Sequence, residues 1–432
     1  MKIVFKPLNK LPTIKKKNCE YVSMFKTGSA HGFTVGDVAK DLRREVRASG
    51  LSPSIQEWDF CTLAIAVAAA DEAVPRKKSA DGWTRQIEIE VALSHPAIWK
   101  PYLESLEETF RFLTGDFWRI RVTTGGLEPP TPPKRLDYDG SCVSLLSGGL
   151  DSLVGAIDLC VDGEKPIFLS KIVNGDSDKQ TEIAKALKTG KRHLQWSHKS
   201  RSTLPGDDQT RGRSIVFLAY AVLASAAITA KAGERKRIIV PENGFISLNV
   251  PLSPGRIGSH STKTTHPVYL DGLERVLNSL KINVEFVRPY QFTTKGEMLI
   301  ECKDQGLLKK LMGNTTSCGR FGRTKTHCGR CVPCLVRRSA FFARKVQDPT
   351  VKSKNTGKNY EFPDLGSALL DKKSSDIKAA ATSIMLIERK GIERFIGSSL
   401  AFCKSDERDK FKGVIERGLE EINKLLKKHK VR

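Results

Sequence analysis

The period of the apolar positions changes along the chain, and the changes mark out its elements. Residues Asp59 to Asp71 are apolar nearly all round, which predicts a helix covered on both faces. Ile87, Ile89, Val91 and Leu93 alternate with Gln86, Glu88, Glu90 and Ala92, the period-two pattern of a strand with one face exposed. A helix is expected from Pro101 to Leu113, stopped before Gly115. Residues 124–135 then break the pattern. Pro129, Pro130, Pro132 and Pro133 favour a stiff, extended tether, so a boundary is placed there, behind an N-terminal α/β accessory domain of residues 1–123. Trp58, Trp83, Trp99 and Trp118 all fall in that domain, where core packing or a ligand groove would use them.

From Ser141 onward short apolar runs alternate with helical ones. Cys142–Leu146, Ile167–Leu169, His193–Trp196, Ile238–Val240 and Val284–Val287 read as strands, with helices at Asp178–Leu187, from Ser214, and near Tyr269–Leu280. That order predicts a doubly wound parallel sheet across residues 136–345, with ligands beyond the carboxyl ends of its strands. Ile215 to Ala230 is the longest apolar run. It is shorter than the roughly 20 residues of a spanning helix and contains Tyr220, Ser225 and Thr229, so it is read as buried. In the C-terminal extension, 346–432, Lys352–Asn359 is a basic loop, and Val414, Ile415, Leu419, Ile422, Leu425 and Leu426 recur at helical spacing. That stripe could dock on the protein itself or on a partner.

Composition narrows the class. With 39% hydrophobic and 28% charged residues, the 432-residue chain fits a globular protein of two or three domains. Met1–Lys6 has too short an apolar core for a secretory signal, so a cytoplasmic location is expected and no membrane contact. A net charge of +24 attracts polyanions: nucleotides, RNA or an acidic protein partner. The low aromatic content, 7%, and the dispersed basic residues weigh against nucleic acid. Ten cysteines without a signal suit a reducing compartment, where thiols bind metal or pack.

Ser147-Gly148-Gly149-Leu150-Asp151-Ser152 joins a predicted strand to a predicted helix. Such a junction binds anions, because the first-turn N–H groups lack intrahelical partners and the helix dipole adds positive charge. The glycines let phosphate oxygens approach the backbone, and Ser147 and Ser152 can donate further hydrogen bonds. A carboxylate at Asp151 makes sense beside phosphates if it holds Mg²⁺. No Gly-Lys-Ser/Thr follows, which excludes the common P-loop. Arg211 and Arg213 open the long apolar helix. Two guanidinium groups there oppose the dipole, a cost that bound polyphosphate would offset; a solvated basic turn accounts for them equally well. Lys295, at another helix start, is a candidate phosphate cation or a surface lysine. Cys318 with Cys328, Cys331 and Cys334 can close a tetrahedral structural Zn²⁺ site; a redox CxxC would leave two thiols unexplained, and His327 could replace one thiolate.

Together these motifs resemble the 7-cyano-7-deazaguanine synthase (QueC) family. The Ser147–Ser152 loop, Arg211-Gly212-Arg213, Thr294-Lys295, Thr316-Ser317-Cys318 and Cys328-Gly329-x-Cys331-x-x-Cys334, with Arg337 and Phe341, follow the family order over about residues 140–345. With additions on both sides, the chain is most similar to the QueC-like components of bacterial Qat anti-phage systems. The resemblance implies a PP-loop ATP pyrophosphatase fold that binds ATP, Mg²⁺ and Zn²⁺. It implies that a 7-deazaguanine-type carboxylate is adenylated and then taken by a nitrogen nucleophile, possibly supplied by a protein partner from the same defence operon. In that scheme Ser147, Gly148, Gly149, Leu150 and Ser152 cradle phosphate, Asp151 holds Mg²⁺, and Arg211, Arg213 and Lys295 meet phosphate charge. A tRNA-modifying enzyme or a non-catalytic assembly subunit with the same loop remain alternatives. Two segments depart from the family: Asn174-Gly175-Asp176 replaces a Tyr-Gly-Gln type sequence, and Ser259–Pro267 replaces an Asp-rich one.

Overall fold

The structure is a computed structural model that describes residues 1–431 apart from 27–32, 173–175, 205, 208–209, 250–251, 253–262 and 370–374. Asn174-Gly175 and Ser259–Thr262, parts of the two departing segments, lie outside the described residues.

Two sheets organise the chain. The first contains β1 (Lys2–Pro7), β2 (Cys19–Met24), β3 (Gly36–Val38), β4 (Gln86–Ala92) and β5 (Phe117–Thr123), in the order β5-β4-β1-β2-β3 and all parallel. The second contains β6 (Cys142–Leu145), β7 (Pro166–Lys171) and β8 (His193–Trp196). After β8, β9 (Ser200–Arg201) crosses to the first sheet and pairs antiparallel with β3. The chain then returns for β10 (Lys236–Ile239) and β11 (Val284–Val287), which complete an all-parallel order β11-β10-β6-β7-β8. This is the doubly wound arrangement expected of a PP-loop ATPase fold. From β6 the chain winds first toward β8 and then, in the opposite direction, toward β11. The crevice at the carboxyl end of β6, beside β10, is therefore the topological switch point, where such sheets bind ligands.

Helices explain why the sheets are joined. We label α1 (Ile55–Ala73), α2 (Leu103–Thr114), α3 (Leu150–Val161), α4 (Arg213–Ala224), α5 (Pro267–Ser279), α6 (Lys295–Glu301), α7 (Val332–Ala343) and α8 (Ser405–Lys428). Ser54 and Glu57 form a capping box that starts α1, and nearly every residue behind it is buried. A helix apolar on all sides needs cover on two faces. α1 packs on the first sheet and on α4; α4 packs on α1 and on the second sheet. One hydrophobic core consequently runs through sheet, helix, helix and sheet, from Phe5 and Ile89 through Trp58, Val67 and Ala219 to Val143 and Ile167. The proline-rich segment is no free tether. The Leu127 carbonyl accepts from Trp58 Nε1 at 2.8 Å and from Ser94 Oγ at 2.9 Å, and the Thr131 carbonyl accepts from Arg47 Nε at 3.2 Å. It lies along the N-terminal unit, because the shared core leaves no gap for it to span.

The C-terminal stripe docks at home. Val414, Ile422 and Leu426 of α8 pack with Leu335 and Val336 of α7 and with Phe245. Each such side chain contributes about 2 kcal/mol of burial. Among the described residues no helix is long and apolar enough to cross a membrane.

His266 caps α5, its Nδ1 accepting from Val268 N at 3.2 Å. Burial, then Lys263 and Arg288, push its imidazole down to about 3. The unfolded chain, with an ordinary histidine near 6.5, takes up this proton first, so stability is lost as pH falls below 6.5. Urea denaturation should show about 2 kcal/mol lost through this residue between pH 7 and pH 5. His266→Asn, which keeps a capping oxygen, should flatten that part of the dependence.

Candidate active site

The loop after β6 has the geometry its residue types suggest. Gly148 sits at φ +84°, a left-handed conformation that only glycine adopts without strain. Ser147 Oγ donates to Ser152 Oγ at 3.1 Å, and Ser152 Oγ also contacts the Gly149 carbonyl at 2.9 Å. Gly149 is the N-cap of α3, so the N–H groups of Leu150, Asp151 and Ser152 belong to its unpaired first turn. The Leu150 side chain packs in the core with Leu146 and Leu153, which leaves only its backbone for a ligand. Behind the loop, buried Gln180 donates Nε2 to the carbonyls of Ser147 at 3.1 Å and Lys171 at 3.2 Å. In front of it lies a cavity of about 300 Å³, lined by Ser147, Asp151, Ser152, Glu242, Lys295 and Thr316, among others.

Asp151 is the centre of the site's electrostatics. One carboxylate oxygen pairs with Lys295 Nζ; the other accepts from Asn243 Nδ2 at 2.7 Å. Burial alone would raise its pKa, but Lys295 and the hydrogen bonds from Glu242 and Asn243 outweigh burial and hold it below the usual carboxylate range. Glu242 goes the other way: burial and the charge on Asp151 lift it well above an ordinary carboxyl. Asp151 is thus ionised and Glu242 carries the proton. The roles read separately for Asp151 and Lys295 converge on one ion pair, reached from the ends of β6 and β11 with Glu242 and Asn243 arriving after β10.

Two expected cations lie elsewhere. Arg211 is buried away from this cavity, with Nη1 donating to the Thr114 carbonyl at 2.8 Å and its guanidinium 4.6 Å from the centre of the Trp83 ring. The anion that the start of α4 requires is internal: one Asp71 oxygen, from the last turn of α1, accepts from Arg211 N at 2.6 Å and Gly212 N at 2.7 Å. Its other oxygen pairs with Arg85, which with Arg76 also binds Asp116. Arg213 is exposed on a second, more polar cavity of about 750 Å³ with Lys171, His198 and Thr316. There burial and Arg213 push Lys171 down to about 7.

Four sulfurs of Cys318, Cys328, Cys331 and Cys334 lie within 4.8 Å of one another, all buried. Cys328–Cys334 and Cys318–Cys331 are each 3.9 Å apart, against about 3.8 Å for a tetrahedron with Zn–S bonds of about 2.3 Å. The set fits zinc with no open position, so its role would be structural. His327 stays out of it, accepting from Ser317 N through Nε2 at 3.1 Å. The same segment docks on the loop: Thr316 N donates to the Gly148 carbonyl at 2.9 Å, and Thr316 Oγ1 accepts from Lys179 Nζ at 2.6 Å. Lys179, Gln180, Glu242 and Asn243 were not picked out in the sequence, since none sits in a motif. The second-strand and fourth-strand ends were the signal, being where a switch point collects side chains.

Two outcomes check this geometry. Arg211→Ala should leave nucleotide affinity unchanged and cost about 1–2 kcal/mol in urea unfolding, whereas Asp71→Ala, which strands buried arginines, should cost about 3–5 kcal/mol. Elemental analysis should find one zinc per chain, and Cys334→Ser should bind much less.

The comparisons with known proteins agree with this site. Residues 264–345 match the family described as "Queuosine biosynthesis protein QueC". A 7-cyano-7-deazaguanine synthase of Brucella anthropi is 28% identical over 164 residues, 38% of this chain and 59% of that protein. One of Rhizobium rhizogenes is 31% identical over 101 residues, 23% of this chain and 37% of that protein. The chain thus spans less than two thirds of either relative. It carries a QueC family domain and is weakly homologous to 7-cyano-7-deazaguanine synthases.

Proposed function

We propose that this protein uses ATP to adenylate a carboxylate of the 7-deazaguanine type, releasing pyrophosphate, and passes the acyl group to a nitrogen nucleophile. The observation that carries the reading is the Ser147–Ser152 loop at the switch point, with ionised Asp151 held by Lys295 beneath it. The carboxylate attacks the α-phosphorus, and negative charge grows on the leaving pyrophosphate. The first-turn N–H groups of α3, the hydroxyls of Ser147 and Ser152, and the Lys295 ammonium are fixed before that charge develops, which is where stabilisation is worth most. Asp151 and the neighbouring Glu242 are the carboxylates suited to hold Mg²⁺, which would supply further positive charge to the phosphates.

Ammonia as acceptor gives a primary amide that a second ATP can dehydrate to a nitrile. A protein amine gives a secondary amide, and the sequence of reactions stops there. We place the acceptor on a protein partner of an anti-phage defence operon, in keeping with the sequence resemblance and with additions on both sides of the core.

Incubating metal-replete protein with ATP and a panel of 7-deazaguanine carboxylates should yield AMP and pyrophosphate. Asp151→Asn and Lys295→Ala should each cut the rate by about 10² or more. No AMP with any acid would sink the reading, and steeply salt-dependent tRNA binding instead would favour the RNA-modifying alternative. Intact-mass analysis of the co-expressed partner should show an added acyl group; an unmodified partner beside free nitrile would remove the protein acceptor.

A further inference from the structure

α6 is only seven residues long and begins with Lys295, so the cap before it decides where that side chain starts. The cap is a reciprocal one: Thr294 Oγ1 accepts from Glu297 N at 3.2 Å, and Glu297 Oε2 accepts from Thr294 N at 2.8 Å. α8 grips both partners from outside. The Thr294 hydroxyl donates its hydrogen to Glu421 Oε1 at 2.7 Å, and Arg417 Nε donates to Glu297 Oε1 at 2.6 Å. Arg417 and Glu421 are one turn apart and so share a face of α8. Arg344, at the end of α7, bridges the same two acids, 3.2 Å from Glu421 and 3.4 Å from Glu297. The approach is close: a Cβ on Gly296 would collide with Glu421 Oε1.

We propose that Arg417 and Glu421 are positioning residues for Lys295, so that the C-terminal helix, outside the matched residues 264–345, is part of the active-site assembly. The inference rests on the reading of Lys295 as a cation at the reacting phosphates. Lysine has a flexible four-carbon stem, and its ammonium can be held on Asp151 only if the backbone beneath it is fixed. Misplacement by about 1 Å can cost about 10² in rate. Docking alone does not call for these contacts, since Val414, Ile422 and Leu426 already bury the apolar face of α8. A carboxylate only 4% exposed, set against a neutral hydroxyl and one arginine, is a costly way to glue two helices.

The test compares Glu421→Ala, Glu421→Gln and, as a control on the same helix that leaves the cap untouched, Leu425→Ala, all in the full chain. Glu421→Ala should lower kcat for AMP formation about tenfold or more while KM for ATP moves less than threefold. Glu421→Gln, which keeps an oxygen for the Thr294 hydroxyl, should recover most of the loss, and Leu425→Ala should lower Tm but not kcat. Acetylation of Lys295 by an anhydride, followed by mass spectrometry without any substrate, should be severalfold faster in Glu421→Ala than in wild type or Glu421→Gln. If wild type forms no AMP, the functional reading fails while the labelling still decides the clamp. Equal labelling in Glu421→Ala and wild type overturns the inference, as does an equal loss of kcat in Leu425→Ala.

Discussion

A buried carboxylate with both oxygens engaged is the constraint around which this molecule is arranged. Taking Asp151 and Lys295 out of water costs several kcal/mol per ion, and their attraction returns that only with good geometry and further hydrogen bonds. Three separate chain segments converge to meet the requirement: the loop after β6, Glu242-Asn243 after β10, and the start of α6 after β11. An apolar pair of similar volume would be at least as stable. The charge is therefore best understood as held in readiness for an anion, and the order of the second sheet is what brings the three segments together.

The zinc-type cluster enters the same arrangement from the other side. Its thiols close a segment in which Thr316 reaches the Gly148 carbonyl and Ser317 leans on His327. Arg337 of α7 donates Nη1 to Thr315 Oγ1 at 2.8 Å, with Nη2 on the Met312 carbonyl at 2.9 Å. The metal site, the wall of the phosphate loop and the helix that carries α8 are one connected block, so loss of metal would be felt at the loop although no cysteine touches it.

Much of this was legible in the residues. All five strands of the second sheet, the all-apolar helix of the N-terminal unit and the capping glycine at 115 carry strong local patterns, and the structure has each of them within a few residues. β1 and β2 were passed over because both are short and lie against apolar surface, which removes the clean alternation of β4. The site divides along the same line. The loop and the four cysteines are contiguous in sequence or regularly spaced, whereas Asp71, Glu242 and Glu421 matter only through contacts with residues far along the chain. Arg211 shows the limit most plainly. Local reasoning rightly required an anion at the start of α4, and nothing local could say that the protein supplies its own from a helix 140 positions earlier.

The crossing of β9 into the first sheet bears on how the molecule is made. Until Arg201 has left the ribosome, β3 presents a bare parallel edge, and α1 keeps an uncovered apolar face until α4 emerges behind it. Open edges and apolar helices are where nascent chains stick to one another. The N-terminal half is thus not a cassette that can be lifted away at the proline-rich segment; it matures only when the nucleotide-binding half arrives, and a truncated product would be a client for chaperones.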